Sequence, residues 1–461
     1  MKLPAIALLA TTATAIEPLQ NANHIFNAIH VSMRQFGSSL HHNGMSFFLA
    51  TVPHGTQLYH GSPSPDLLAG VGWMAFEPEH AMVFARPSRR RSPDISSDTT
   101  AQGQTPLGTS VQTGNEGSGF LHTYRTAKDL RLVYIDGTSA GKSRIGTLDS
   151  QDRILFNDTI AGGVGMEEQR ARTVCRIAKD TWHGRVDGVI RMAAGFEIIL
   201  CDPEDNLFPV RVMSVKSHKD TDTNGAEPRR KYGKGKPNGK PAELMRAVTS
   251  RFDGIGGERV RLNYDHFVTA YTHNLDLFAS GSKPRLQHLS TKDLQPLRDD
   301  LANLVMEHEV NGTVNWQATA DLVVDKYAPI LRGLLRKNKH HHQKINASSE
   351  ITRLMAPFDG LDIDGSVSFC TSQFLSGPDG NSSLAHRAIY TVSHRICSTL
   401  LELREADNEA TTWKECRGCK DTEFCAVPIW PQGSQEDYDR PKCQRFTKAY
   451  EGVDYWGPVW K

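Results

Sequence analysis

DGVIRM (residues 187–192) and FEIILCD (196–202), joined by Ala193-Ala194-Gly195, decide the fold class. Each run is short, apolar and rich in Val and Ile, and the joint between them is made of small residues, so the two read as a strand pair. Upstream, FLHTYR (120–125) and LRLVYIDG (130–137) also look like two strands, the second closed by Asp136-Gly137. Between the two sets, Met166, Val174, Ile177 and Ala178 fit a helix at about 166–182. Strands interleaved with a helix predict an α+β domain on a mixed or split sheet, spanning residues 16–213.

Further on the pattern turns helical. Leu297, Leu301, Leu304 and Val305 form a stripe at i, i+4, i+7, i+8; Trp316, Ala320, Val323, Tyr327, Ile330 and Leu334 form a second, and Ile389, Val392, Ile396, Leu400 and Leu403 a third. These are core faces of a mainly helical domain over 242–410. The chain's 461 residues suit two or three domains at roughly 150 residues each. Two stretches punctuate it. Residues 86–119 hold almost no large apolar side chains and read as a disordered insertion carrying Arg89-Arg90-Arg91. Residues 214–241 read as a basic, Gly/Pro-rich linker, with Arg229-Arg230-Lys231 open to cleavage. His340-His341-His342 are adjacent on a helix and cannot face one metal, so they read as solvent-exposed.

The compartment is written at the N-terminus. Residues 1–15, MKLPAIALLATTATA, carry Lys2, a short apolar run and small residues at Ala13 and Ala15, the pattern of a secretory signal cut near Ala15–Ile16. No later run reaches the roughly 20 apolar residues a membrane span needs, and no hydrophobic C-terminal tail suggests a lipid anchor. Acceptor triplets for N-glycosylation start at Asn157, Asn311, Asn346 and Asn381. Eight cysteines, Cys175, Cys201, Cys370, Cys397, Cys416, Cys419, Cys425 and Cys443, suit disulfides in an oxidising compartment. The spacing of the last four would also suit a tetrahedral zinc. The secretory route favours disulfides, and residues 411–461 read as a disulfide-stapled tail.

Charge sets limits on partners. Lys and Arg number 53 against 52 Asp and Glu, so no global field recruits nucleic acid. With 38% hydrophobic and 23% charged residues, the chain is neither an acidic disordered segment nor a polytopic membrane protein. An extracellular protein or glycan partner fits this balance. Gly137-Thr138-Ser139-Ala140-Gly141-Lys142-Ser143 has three residues between its glycines where a phosphate-binding loop needs four, and reads as a turn. No G-x-S-x-G, H-E-x-x-H or EF-hand pattern occurs. Glu77, Glu79, Asp136, Asp187, Glu197 and Asp202 are carboxylates that glycosidic chemistry could use, but their separations are not written in the sequence.

The most suggestive constellation is Leu58-Tyr59-His60-Gly61-Ser62, then Trp73-Met74-Ala75-Phe76 running into Glu77-Pro78-Glu79-His80-Ala81, then Phe196-Glu197-Ile198-Ile199-Leu200. This order resembles the ADP-ribosyltransferase fold of the His-Tyr-Glu type, over roughly residues 55–212. The resemblance implies that His60 holds a ribose hydroxyl and that the Gly61 backbone binds the nicotinamide carboxamide. It also implies that Trp73 or Phe76 stacks on the ring and that Glu197 stabilises an oxocarbenium-like transition state. NAD would enter as substrate, and no cofactor is implied. The aromatic position is not the tyrosine of that pattern, and it follows His60 by only 13 to 16 residues. Read from the residues alone, His60 is a satisfied strand histidine and Glu197 a surface or ion-paired carboxylate. WMAFEPEHA, YIDGTSAGKS and GTLDSQD also look like strings from secreted filamentous-fungal proteins, a resemblance that carries no chemistry. The expected function is a secreted glycoprotein, either an NAD-consuming transferase or glycohydrolase, or a non-catalytic binder of a host, cell-wall or protein partner.

Overall fold

A computed structural model of the chain describes residues 19–85, 118–143, 145–160, 166–193, 195–216, 255, 258–335, 347–358, 362–375, 383–404, 423–426, 436–437 and 441–445. The signal segment, the three basic or histidine runs, Asn346, Asn381, Cys416 and Cys419 lie outside them, as do nearly all of the insertion and linker and most of the tail. The chain divides into two units, residues 27–315 with 413–461, and residues 1–26 with 316–412.

The first unit is built on nine strands: β1 (Asn43–Val52), β2 (Gln57–Ser62), β3 (Gly72–Ala75), β4 (Ser118–Thr126), β5 (Leu130–Gly137), β6 (Gly188–Met192), β7 (Phe196–Leu200), β8 (Leu207–Lys216) and β9 (Arg261–Thr269). Their order is β8-β4-β2-β3-β7-β6-β5-β1-β9. Every pairing is antiparallel except β5 with β6. The sheet is therefore mixed, and the chain is α+β. The parallel pair needs a crossover, which the helix α4 (Glu167–Arg176) supplies between β5 and β6. In chain order the helices before it are α1 (Ala22–Val31), α2 (Gln35–Leu40) and α3 (Pro78–Met82), and after it come α5 (Pro203–Asn206) and α6 (Gln295–Glu307).

Strands β1, β6 and β7 are buried along their whole length, which explains their unbroken apolar runs. Phe48 of β1 stacks on Phe267 of β9 with ring centroids 4.7 Å apart. The weak joint of the sheet lies between β2 and β3. They share one register pair, Tyr59 with Ala75, whereas β2 shares six with β4 and β3 shares four with β7. A disulfide, Cys175–Cys201, ties α4 to the end of β7.

Residues 258–315 depart from the sequence expectation, which gave them to the helical domain. They provide the edge strand β9, and the buried stripe Leu297, Leu301, Leu304 and Val305 of α6 packs beside it. A single amphipathic stripe identifies a helix but not the surface it covers. The insertion and linker also end differently: residues 118–119 already belong to β4, and 214–216 to β8.

The second unit contains α7 (Trp316–Leu335), α8 (Ala347–Met355), α9 (Ile363–Ser372) and α10 (Leu384–Arg404). The expected stripe residues Trp316, Ala320, Val323 and Tyr327 of α7, and Ile389 and Leu400 of α10, are buried. Cys370–Cys397 joins α9 to α10, and the amide of Leu19 donates to Thr391 Oγ1 at 3.3 Å. In the tail, β10 (Glu423–Ala426) pairs antiparallel with β11 (Lys442–Arg445), with Cys425 opposite Cys443; both cysteines are disulfide-bonded. No described helix is long and apolar enough to cross a membrane.

One buried acid sits at the end of β5. Asp136 accepts from the Ser46 amide at 2.8 Å, and the backbone packs so closely that a Cβ on Gly44 would lie 2.0 Å from the Asp136 carbonyl oxygen. Burial pushes its carboxyl up to about 7, against the hydrogen bonds from Ser46 that favour the anion. The folded state thus holds a proton that the unfolded chain releases near pH 4, so this contribution is complete below pH 4 and is lost as pH rises to about 7. At 1.4 kcal/mol per unit the loss is on the order of a few kcal/mol. Asp136→Asn, which keeps the acceptor oxygen and cannot ionise, is expected to gain on the wild type between pH 4 and pH 8. Urea denaturation at pH 4, 6 and 8 measures it, and a difference that does not change with pH would refute the account.

Candidate functional site

Where β2 and β3 part, a cavity of about 390 Å³, counted to its open mouth, is lined by Tyr59, His60 and Gly61, by Trp73, Met74 and Ala75, by His80, Ala81 and Phe84, and by Glu197. Three strands and one short helix contribute to it. The sequence-predicted His60, Gly61, Trp73 and Glu197 are brought together there. Phe76 is not. β3 ends at Ala75, and the Phe76 side chain turns fully into the core while its carbonyl accepts from Arg259. Of the two aromatic residues named for stacking, only Trp73 is in position.

Gly61 is glycine for a packing reason. A Cβ there would stand 2.0 Å from the Ala81 carbonyl oxygen and 2.8 Å from the Ala85 amide nitrogen, so only a glycine lets α3 lie against β2. That contact brings His80 and Phe84 to the cavity.

His60 is 4% exposed, and its Nδ1 donates to the Trp73 carbonyl at 2.8 Å. Burial pushes the ring down to about 4, the bond to Trp73 opposes this, and His122 reinforces it. The ring is therefore neutral at ordinary pH, with Nδ1 protonated and Nε2 carrying the lone pair. His122, edge-on to it at 5.8 Å, donates Nε2–H to the Ser64 carbonyl at 2.9 Å.

Glu197 lies directly across from Arg191 in the β6–β7 ladder, on the row that continues through Ala75 to Tyr59. Arg191 is fully buried. Its Nε and Nη2 both reach Glu197 Oε1 at 2.8 Å, its Nη1 donates to Gln151 at 2.9 Å, and its Nη2 also pairs with Glu167. Glu167 on α4 further holds Lys142 at 3.5 Å and Arg170 at 3.1 Å, and Arg170 grips Asp152 through two parallel bonds of 2.8 and 2.9 Å. Burial works against the Glu167 carboxylate, but Arg191, Lys142 and Arg170 outweigh it and hold the group well below the usual carboxylate range. Three cations and three carboxylates form one internal web, and among them Glu197 faces the cavity.

This web settles the fate of the loop at 137–143. Lys142 points inward to Glu167 and to the Ala140 carbonyl, so its charge is spent inside the fold. The other carboxylates are scattered. Glu77 pairs with Arg259 at 2.6 Å, Asp187 with Lys128 at 2.9 Å, and Asp136 is bound to Ser46. Among the described residues no cluster of three or more His, Cys, Asp or Glu is placed to hold a metal ion. Asn157 and Asn311 are exposed.

Sequence reasoning missed Arg191 and His80. Arg191 was legible: with residues 193–195 as the connection, counting back from Glu197 puts residue 191 opposite. His80 is signalled only by its place four residues before Phe84, with ring centroids 6.0 Å apart.

The profile of the YPL277C N-terminal domain family matches residues 14–119 and 92–247, half of the chain. The chain belongs to that family. Its cavity and its charge web both lie within the matched residues. Two proteins of Saccharomyces cerevisiae, Uncharacterized protein YPL277C and Uncharacterized protein YOR389W, are each 25% identical to it, over 380 and 381 residues. Each match covers 68% of this chain, with 75% of the first relative and 58% of the second. No solved structure matches. The YPL277C N-terminal domain family is thus a fungal family whose matches name no activity. The ADP-ribosyltransferase resemblance draws no support from them and rests on the residues alone.

The contact of α3 with β2 is testable. Gly61→Ala forces a Cβ into backbone atoms that cannot yield as a flexible side chain would, and a loss of about 1–3 kcal/mol is expected. Thermal unfolding of the purified protein measures it, and an unchanged midpoint would show that α3 does not depend on this close approach.

Proposed function

We propose that the cavity receives the nicotinamide riboside end of NAD and that the protein breaks its N-glycosidic bond, passing ADP-ribose to water or another acceptor. The observation that carries this is the convergence on one cavity of His60 and Trp73, from the consecutive strands β2 and β3, with Glu197 of the distant strand β7. Neutral His60 offers Nε2 as an acceptor for a ribose hydroxyl, and Trp73 offers a face for the pyridinium. As the C1′–N bond breaks, nicotinamide leaves with the electron pair and positive charge grows on the ribose. Glu197, held by Arg191 in a buried setting, is a preorganised anion for that charge.

We read the chain as secreted and glycosylated. The signal-like N-terminus, the paired cysteines and the exposure of Asn157 and Asn311 support this.

One observation favours a second reading. Glu197 Oε1 is already bound to Arg191, as a structural carboxylate would be, and a cavity so built could hold a ligand without reacting. Chromatographic detection of nicotinamide from NAD separates the two. The wild type is expected to release it, and Glu197→Gln to do so about 10²–10³-fold more slowly while still binding NAD. NAD bound without release by the wild type would leave the non-catalytic reading. The His60 ring stays neutral above about pH 5, so the rate should show no inflection from it between pH 6 and 8.

A further inference from the structure

Beside Glu197 the cavity holds a second titratable group, which the resemblance does not name. His80 of α3 is 5% exposed and its ring lines the cavity beside Glu197. Its Nδ1 is turned to the β6–β7 connection, where a Cβ on Gly195 would stand 2.8 Å from it and the Phe196 main chain is a hydrogen-bond partner of the ring. A larger residue at 195 would displace it. Packing alone does not call for a histidine there, since an apolar side chain would fill the same space without a buried polar ring.

We infer that His80 is the base that takes the proton of the attacking hydroxyl in this cavity. The inference rests on the N-glycosidic reading of the site and adds to it a division of labour. The C1′–N bond breaks with its electron pair going to nicotinamide, which leaves neutral. An oxygen lone pair of water or an alcohol then forms the C1′–O bond, and the proton of that hydroxyl passes to the unprotonated nitrogen of His80. Glu197 stabilises the cation and His80 removes the proton.

The ring's surroundings keep it in the state a base needs. Burial pushes His80 below the ordinary histidine value. Glu197 on β7 and the Phe196 main chain oppose this, and Lys142 in the loop after β5 adds to it. Those are the charged groups facing it, with Arg191 behind Glu197. The ring is thus unprotonated at neutral pH and gains its proton only in acid.

The experiment follows NAD cleavage by the full-length protein across pH 4–9 for wild type, His80→Gln and His80→Ala, with NAD binding measured by calorimetry. Expected are a wild-type acid limb at pH below 6.5, a kcat about 10²-fold lower in both variants at unchanged NAD affinity, and loss of the limb in His80→Gln. Added imidazole should restore part of the His80→Ala rate, which a purely structural role would not allow. A wild type that cleaves NAD with no acid limb, or variants that keep kcat or are not rescued, would overturn the base and leave the N-glycosidic reading standing. A wild type that does not cleave NAD would overturn both.

Discussion

Arg191 has no water to solvate it. A guanidinium at the centre of a nine-stranded sheet is tolerable only if carboxylates and hydrogen bonds replace the lost hydration, because an unpaired buried charge costs several kcal/mol. The fold meets that demand from three directions. Glu197 comes from the neighbouring strand, Glu167 from the crossover helix, Gln151 from the turn before it, and Lys142 balances Glu167 from the loop after β5. The β6–β7 register, the seat of α4 and the course of residues 137–143 are therefore not independent. Moving any one would strand a charge.

The second constraint is the divergence of β2 from β3. With one register pair between them, the sheet opens on its α3 side, and α3 closes the gap only because Gly61 offers no side chain. The cavity is what the two constraints leave between them. The charge web fixes its Glu197 wall, and the Gly61 contact fixes the wall carrying His80 and Phe84. Neither constraint needs the other, yet they meet on one space.

Much of this was legible. The strands at 130–137, 187–192 and 196–202 stand out because buried strands carry nearly continuous apolar runs, and the helical stripes repeat at the helix period. His60, Gly61, Trp73 and Glu197 were named as one constellation, and the structure places all four around one cavity. Phe76 failed because strand ends are set by local backbone geometry, and one residue past the end of β3 its side chain faces the core. Residues 258–315 went to the wrong unit because β9 mixes Arg, Asn, Asp and His with its apolar residues, as an edge strand exposed on one side does. The web was the hardest part. Lys142, Asp152, Glu167, Arg170, Arg191 and Glu197 span 56 residues of sequence, and their pairing depends on tertiary placement that periodicity does not encode.

A charge web built only to hold the sheet would explain Glu197 but not its neighbours. Around the same cavity the ring of His80 and the indole of Trp73 are polar groups that the web does not use. An apolar residue in either place would fill the space without a polar atom to satisfy. Glu197 can serve the fold and the site together because its bonds to Arg191 fall on Oε1 alone. The web that immobilises the carboxylate also sets it in place before any ligand arrives, which is what electrostatic stabilisation of a developing cation requires.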